Sequence, residues 1–247
     1  KSSAASDVYK RQGAPSVEGI NFKAMKGQTI GVIGGTGSGK SSLVNLIPRL
    51  YDATQGEVLV DGVNVKDYDI ETLRNKVGIV MQKAVLFKGT IRENMWMGKK
   101  GATDEQIDEA LEISQSKEFV DSKQGRLDYV IEQGGKNLSG GQRQRLTIAR
   151  AIVRKPDVLI LDDSASALDF ATDAALRKAI RGMNNSPTVF IVSQRAASLM
   201  YADLIIVLDD GQVAGMGTHD ELLANCEVYK EIYESQFKKA DSEGGVA

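Results

Sequence analysis

The chain has 247 residues, 42% hydrophobic and 26% charged, a balance that excludes low-complexity and fibrous proteins and suits one compact body with an inserted subdomain. Its 31 basic and 33 acidic side chains leave a net charge of −2, so no global field attracts nucleic acid. The single cysteine, Cys226, excludes an intramolecular disulfide, and apolar runs such as Leu204–Leu208 are far shorter than the roughly 18 residues that cross a bilayer.

The first residues are set apart from the rest. The chain begins with Lys1 rather than Met, and we expect it to be a fragment of a longer protein. Because Asp7–Gln12 (DVYKRQ) resembles a translated sequencing adapter, residues 1–12 are predicted to be an artefact or disordered, and they are excluded from fold reasoning. The alternative is a genuine strand that enters the domain.

From Gly27 onward, apolar runs of strand length alternate with helical patterns. This alternation predicts an α/β fold with a mainly parallel sheet. Residues 84–154 have helical periodicity, including a capping box at Thr103 and Gln106, and are predicted to be an inserted helical subdomain. Residues 238–247 are predicted to be a disordered tail. The predicted strands are Thr29–Ile33, a hairpin over Glu57–Val65 around Asp61-Gly62, Val77–Met81, Val158–Leu161, Val189–Val192 and Leu204–Leu208.

A glycine-rich loop follows the first of these strands and precedes a helical pattern. It matches GxxxxGK[ST], in which glycines let successive backbone N–H groups point at phosphate oxygens. Lys40 is expected to reach the β- and γ-phosphates of ATP, and the Ser41 hydroxyl to coordinate Mg²⁺. The alternative is a purely structural loop. The candidate binding residues are Gly34, Gly35, Thr36, Gly37, Ser38, Gly39, Lys40, Ser41 and Ser42.

Two further segments carry candidate residues. The strand Val158–Leu161 ends in Asp162, whose carboxylate is expected to hold Mg²⁺ beside the phosphate loop. Leu138–Gln142 (LSGGQ) opens a helix twenty residues before the strand's end, and its Ser139 and Gln142 also fit a simple capping box.

The order of these motifs resembles the ATP-binding cassette family, over roughly residues 13–237. LSGGQ is the signature of that family, and the resemblance adds two further residues. They are Gln82 after a strand, as a catalytic residue and Mg²⁺ ligand, and Asp169 of the D-loop, Ser166–Asp169. It implies a RecA-like P-loop NTPase fold: an ATP-binding core (13–83 and 155–237) with an antiparallel β subdomain and the helical signature subdomain (84–154). In this family two domains meet head to tail, and the signature of each closes over the ATP of the other. Signature residues expected to contact that ATP are Ser139, Gly140, Gly141 and Gln142.

Three local segments are similar to the exporter branch of the family: Val85–Asn94, Glu132 and Gly217–Leu222. In that branch the cassette follows a transmembrane region in one polypeptide. The resemblance therefore implies a cytosolic domain at the cytoplasmic face of the cell membrane, with a membrane domain upstream, and no nucleic-acid partner.

Two catalytic positions depart from the family pattern. Asp163 stands where active cassettes carry a glutamate, and its carboxylate falls short by roughly 1.5 Å, a misplacement that can cost on the order of a hundredfold in rate. Gln194 stands in place of the γ-phosphate-contacting histidine, and the one histidine, His219, lies elsewhere, where a turn or helix-cap role is expected. These departures resemble the degenerate half of heterodimeric exporters. That half binds ATP, and its signature completes the hydrolytic site of the partner.

Several alternatives stay open on the sequence. Asp163 would still position water in a site that is merely slow, or it would serve as the base of a fully competent homodimeric transport ATPase. An importer cassette with separate membrane subunits is also compatible with the motifs. A DNA-maintenance ATPase is disfavoured, because no long coiled coil separates Lys40 from Ser139, and a GTPase is disfavoured because no [NT]KxD motif occurs.

Overall fold

The computed structural model describes residues 2–4, 8–9, 15–164 and 167–243, with side chains described over 16–164 and 167–237. The chain divides into two compact units: an outer unit of residues 1–74 and 188–247, and an inserted unit of residues 75–187. The inserted unit is wider than the predicted helical insertion, because it includes the strands on either side of it. Within the described residues, none of the helices combines the length and the apolar character that a membrane span requires.

The regular elements follow one another in the order that the sequence pattern predicts. The strands are β1 (Ser2–Ala4), β2 (Val8–Tyr9), β3 (Pro15–Val17), β4 (Phe22–Ala24), β5 (Thr29–Gly34), β6 (Leu59–Val60), β7 (Val63–Asn64), β8 (Val77–Val80), β9 (Gly89–Thr90), β10 (Val130–Ile131), β11 (Val158–Asp162), β12 (Thr188–Val192), β13 (Leu204–Asp209) and β14 (Gln212–Gly217). The α-helices are α1 (Lys40–Asn45), α2 (Ile70–Lys76), α3 (Ile91–Trp96), α4 (Asp104–Ile113), α5 (Lys117–Asp121), α6 (Gly140–Ile152), α7 (Phe170–Arg181), α8 (His219–Asn225) and α9 (Glu227–Glu243).

The outer unit is built on a four-stranded sheet with the order β14-β13-β5-β12. Strand β5 is parallel to both β12 and β13, and β14 is antiparallel to β13. Every residue of β5 and β12 is buried, which is why their sequences are continuous apolar runs rather than alternating ones. Helix α1 buries Leu43 and Val44 and lies near β5 and β12. The predicted parallel α/β arrangement is confirmed in this unit.

Short antiparallel pairs make up the rest of the outer unit. The pairs are β1 with β4, β2 with β3, and β6 with β7. In the last pair Val60 faces Val63 across Asp61 (φ 52°) and Gly62 (φ 82°), and two positive φ angles are the signature of a type I′ hairpin turn. The predicted hairpin is confirmed, with shorter strands than expected.

The inserted unit contains a parallel strand pair and the helices. Strands β8 and β11 run parallel in register from Val77–Val158 to Val80–Leu161. Helix α6 packs against α4 and β8. Its apolar side chains are buried together with those of α4, which buries Ile107, Ala110 and Leu111. The predicted capping box at Thr103 is confirmed, since the Gln106 amide donates to Thr103 Oγ1 (3.4 Å).

Three features differ from the sequence prediction. Strands β1 and β2 lie in residues 1–12, which the adapter interpretation sets aside; the Tyr9 side chain lies outside the described part. Strand β14 carries two glycines and is only partly buried, so its pattern lacks the usual signs of a strand. Helix α9 continues to Glu243, into the segment that is predicted to be a disordered tail, and the first glycine of that segment comes at position 244. Residues 244–247 lie outside the described range.

Candidate functional site

The loop between β5 and α1 has a backbone that only glycine accommodates at its tightest point. Gly39 has φ 94°, and a Cβ there would lie 2.3 Å from Val17 Cγ1 and 2.6 Å from the Ser16 carbonyl oxygen. Gly37 also has a positive φ, 84°, but a Cβ there would meet nothing within 4 Å. Gly39 therefore permits close packing against Ser16 and Val17, and Gly37 faces open space.

Lys40 is buried and closes the loop on itself. Its Nζ donates to the carbonyl oxygens of Gly34 (2.9 Å) and Gly35 (2.6 Å). These two hydrogen bonds hold the Lys40 ammonium group against the loop that precedes α1. An ammonium in this place attracts an anion that enters the loop.

Two further observations show that the loop fits a phosphate group. The Ser38 hydroxyl is buried, with 5% of the residue exposed, and has no hydrogen-bond partner among the described residues. A buried hydroxyl without a partner is uncommon and marks a place where a ligand or water binds. A Cβ at Gly35 would also meet no atom within 4 Å, so the loop has open space on that side. The Ser41 hydroxyl is exposed at the same helix start.

The switch segment (Ser193–Ala196) of the outer unit begins beside this loop. Val192 of β12 pairs with Val32 of β5, and the Ser193 amide donates to the Val32 carbonyl oxygen (3.1 Å). Gln194 therefore leaves the sheet next to Gly34, where the loop starts. Its side chain is exposed. The structure thus brings two of the predicted positions, Gly34 and Gln194, to neighbouring strand ends within one unit.

The inserted unit brings a second group of predicted residues together. Because Leu161 of β11 faces Val80 of β8, the residues two positions further on, Asp163 and Gln82, also lie side by side. Gln82 Nε2 donates to Asp163 Oδ2 over 3.2 Å. Asp162, the last residue of β11, is buried, with 5% exposed. The Asp163 carboxylate and the Gln82 amide therefore form one cluster at the carboxyl ends of two parallel strands, and Asp162 is the residue that ends β11.

This cluster has the oxygen ligands that Mg²⁺ prefers. Asp162 supplies a carboxylate, and Gln82 supplies its amide oxygen, since its amide nitrogen faces Asp163. Asp163 has φ 48°, a left-handed backbone that aspartate tolerates better than most residues because its short side chain bonds locally. The backbone at this position therefore favours the residue that the sequence has.

The LSGGQ segment forms the start of α6, and its capping box is real. Ser139 Oγ accepts from the Gln142 amide (3.2 Å), and the Ser139 amide donates to Gln142 Oε1 (3.1 Å). The two interpretations of this motif, capping box and signature, are compatible, since the box orders the turn in which Gly140 is exposed. A Cβ at Gly141 would lie 3.2 Å from the Ala167 carbonyl oxygen, so this glycine allows close packing.

Asp169 caps the next helix, α7. Its carboxylate accepts from the Thr172 amide (2.9 Å) and from the Thr172 hydroxyl (2.8 Å). These hydrogen bonds, that from the Thr172 amide first, hold the pKa of the Asp169 carboxyl below its usual range. Ser166, which begins the predicted D-loop, lies outside the described residues. The structure therefore assigns Asp169 a capping role in addition to the predicted contact with nucleotide.

Sequence reasoning missed one residue beside the switch segment. Gln236 of α9 donates through Nε2 to the Gln194 carbonyl oxygen (2.7 Å) and accepts at Oε1 from the Ala196 amide (2.9 Å). No motif includes it, and it lies 42 residues from Gln194, so no local pattern indicates it. His219, in contrast, matches its expected place at a helix start: it is the first residue of α8, and its Nδ1 lies 2.8 Å from the Tyr229 hydroxyl.

Comparisons with known proteins agree on one family. The family model described as ABC transporter matches residues 17–166. The ABC transporter ATP-binding protein YfiB of Bacillus subtilis is 43% identical over 235 residues, which is 95% of this chain and 41% of that protein. A Staphylococcus aureus protein whose name describes a multidrug export ATP-binding/permease protein is 39% identical over 228 residues, 92% of this chain and 39% of that protein.

A solved structure gives the same result. The structure of a bacterial Atm1-family ABC exporter with ATP bound superposes with a TM-score of 0.90 and 30% sequence identity, over 95% of this chain and 41% of that one. The chain spans about two fifths of the length of these relatives.

Proposed function

This chain belongs to the ABC transporter family, whose ATP-binding domains are ATPases coupled to transport, and from that premise we propose that it binds MgATP for an exporter without hydrolysing it efficiently. In this proposal its own site retains ATP, and its signature completes the hydrolytic site of a partner domain. The proposal has three parts, which are binding, hydrolysis and assembly, and different residues carry each of them.

The binding part rests on the phosphate loop. The buried Lys40 ammonium and the buried Ser38 hydroxyl supply donors to phosphate oxygens, and the open side of Gly35 and Gly37 gives those oxygens room. The Ser41 hydroxyl, the Asp162 carboxylate and the Gln82 amide oxygen are the proposed Mg²⁺ ligands. Bound Mg²⁺ neutralises charge on the phosphate oxygens.

The hydrolysis part rests on Asp163, and this residue is the observation that carries the proposal. A general base must reach the water that it deprotonates, and the aspartate carboxylate is one methylene shorter than the family's glutamate. In this chain it also accepts a hydrogen bond from Gln82, two residues beyond the end of β8, over 3.2 Å. Gln194 offers an amide that donates a hydrogen bond to a γ-phosphate but carries no positive charge. Both departures leave binding donors in place and weaken the chemical step.

The assembly part rests on the intact signature. A chain that keeps the signature residues Ser139, Gly140, Gly141 and Gln142, but whose own site lacks the glutamate and histidine, can complete the site of a partner that has both. We therefore assign this chain to a heterodimer with a second, catalytically intact ATP-binding domain. The capping box supports this role, because it orders the turn whose amides would face the partner's nucleotide.

The membrane part of the transporter is proposed from the relatives. The name of the Staphylococcus aureus relative describes an ATP-binding part and a permease in one protein, and this chain spans 39% of it. We assign this chain a transmembrane domain in the same polypeptide and a place at the cytoplasmic face of the cell membrane.

Nucleotide retention tests the proposal. The chain is incubated with Mg²⁺ and radiolabelled ATP, excess nucleotide is removed, and the bound nucleotide is identified over time. We expect bound ATP to persist, and we expect a Lys40→Met variant to bind about 10- to 100-fold more weakly, as the loss of charge-assisted hydrogen bonds predicts. Rapid conversion of bound ATP to ADP contradicts the degenerate-site assignment, and equal binding by Lys40→Met contradicts the site itself.

A further inference from the structure

The switch segment, Ser193–Ala196, lies between two better-anchored elements. At its start the Ser193 amide extends the ladder with β5, by donating to Val32. At its end the 3-10 turn Ala196–Ser198 begins. Between them the backbone follows neither a strand nor a helix. The buried backbone amide of Ala196 must therefore find a partner outside the regular elements, because unpaired buried backbone groups are costly.

Side chains supply those partners. The Arg195 amide donates to Ser193 Oγ (2.9 Å), within the segment itself. The Gln194 carbonyl oxygen and the Ala196 amide are both bonded to the side-chain amide of Gln236, at 2.7 and 2.9 Å. Gln236 thus uses a donor and an acceptor on groups two residues apart, in the manner of a neighbouring strand. Ala196 is fully buried, so water does not replace that partner.

Gln236 is itself held in place by the helix that carries it. Tyr229 of α9 is fully buried and bonds to His219 of α8. The His219 ring also lies 5.3 Å from the ring of Tyr233, which stacks on Phe237 with centroids 4.3 Å apart. This aromatic cluster spans α9 from Tyr229 to Phe237, on either side of Gln236. The contacts of Tyr229 and Tyr233 with His219 therefore attach α9 to α8 in the turns that precede Gln236.

We propose that Gln236 is a positioning residue, which fixes the backbone of the switch segment so that the Gln194 side chain is presented to the γ-phosphate of bound ATP. The inference rests on the proposed function, because that function gives Gln194 its role. Gln236 itself contacts no nucleotide in this account. It acts through Gln194, and its loss affects the recognition of ATP more than that of ADP, which has no γ-phosphate.

The test compares the affinities of the chain for MgATP and MgADP in five variants. Gln236→Met keeps the length of the side chain and removes both hydrogen bonds. Gln194→Ala removes the group that is positioned, and the double variant combines them. Glu231→Met is the matched control, since Glu231 is an exposed residue on the same helix. A second variant at the same position, Gln236→Glu, keeps the acceptor for Ala196 and loses the donor to Gln194. It also replaces Gln236→Met if that variant does not fold.

We expect Gln236→Met to reduce the preference for ATP over ADP by about two- to tenfold, which is the worth of a neutral hydrogen bond. Gln194→Ala should reduce it equally, and the double variant no further. Hydrogen exchange gives a second readout: the Ala196 amide should exchange faster in Gln236→Met and at the native rate in Gln236→Glu. The control should change neither quantity.

Two different results would overturn the inference. If Gln194→Ala lowers the preference for ATP and neither Gln236→Met nor Gln236→Glu does, Gln236 has no positioning role, while the proposed function stands. If Gln194→Ala leaves the preference unchanged, the proposed contact of Gln194 fails and the inference fails with it.

Discussion

Gln82 and Asp163 are joined by a hydrogen bond of 3.2 Å at the carboxyl ends of two parallel strands. The register of β8 and β11 makes this pair unavoidable, because Val80 faces Leu161 two residues earlier. The pair places the residue that stands for the family's catalytic glutamate against a neutral amide. The presence of aspartate instead of glutamate at position 163 is therefore accompanied by a specific hydrogen bond in the folded chain.

Asp163 is expected to contribute little to hydrolysis. We predict that Asp163→Asn leaves MgATP binding intact and changes the single-turnover rate of hydrolysis by less than about twofold, whereas loss of a working general base typically costs 10²- to 10⁴-fold. Asp162→Asn is the matched comparison, since it alters the preceding carboxylate, and it should weaken binding in the presence of Mg²⁺. A large loss of rate in Asp163→Asn would identify it as a working base.

The two loop glycines should differ in what they contribute to stability. Gly39→Ala places a Cβ 2.3 Å from Val17 Cγ1 in a left-handed backbone, and we predict a loss of about 3 kcal/mol or more in the free energy of unfolding. Gly37→Ala has a similar backbone but open space, and it should lose only about 1 kcal/mol. Urea unfolding of both variants measures the difference. Equal losses would contradict the close packing at Gly39.

The capping and signature roles of Ser139 are separable. Ser139→Ala and Thr103→Ala each remove the cap of a capping box, and both should lower the free energy of unfolding by about 1 kcal/mol. In a chain with the catalytic residues restored by Asp163→Glu and Gln194→His, only Ser139→Ala should also slow ATP hydrolysis. If Thr103→Ala slows it equally, the effect of Ser139 is one of stability alone.

Alkaline pH should weaken the attachment of α9. Burial, with a smaller effect of Tyr233, raises the pKa of Tyr229 to about 12, compared with about 10 for an unfolded tyrosine. Between these values the unfolded chain loses the phenol proton and the native chain keeps it, so the free energy of unfolding falls as pH rises. Tyr229→Phe lacks this contribution. In chemical unfolding experiments, the difference in free energy of unfolding between the native chain and this variant should therefore shrink between about pH 10 and 12. A difference that does not change with pH would contradict the raised pKa of Tyr229.

Sequence patterns predicted the parts of the fold that short-range rules control. Buried parallel strands are continuous apolar runs, a type I′ turn needs residues such as Asp61-Gly62, and a capping box needs a fixed spacing from Thr103 to Gln106. Each of these is confirmed. Strand β14 was not predicted, because its two glycines and partial burial give no clear pattern, and tertiary contacts decide such cases.

In the candidate site, the sequence likewise predicted the residues that belong to motifs and not the contacts between distant segments. The motifs located Lys40, Asp162 and Ser139, because the chemistry of phosphate and Mg²⁺ requires those residue types at fixed spacings. The hydrogen bond between Gln82 and Asp163 depends on strand register across 81 residues, and that between Gln236 and Gln194 on the packing of the last helix. No periodicity encodes contacts of that kind.

Single-turnover hydrolysis tests the central claim most directly. The native chain and an Asp163→Glu, Gln194→His double variant are each mixed with radiolabelled ATP and Mg²⁺ at equal occupancy, and the rate of phosphate release is measured. Asp163→Glu alone, which also reports the cost of glutamate at a left-handed backbone, serves as the intermediate. We predict that the double variant hydrolyses ATP at least about a hundredfold faster than the native chain, as the restored reach of the carboxylate implies. Equal rates would show that Asp163 is a working base and that this chain is a competent ATPase in its own right.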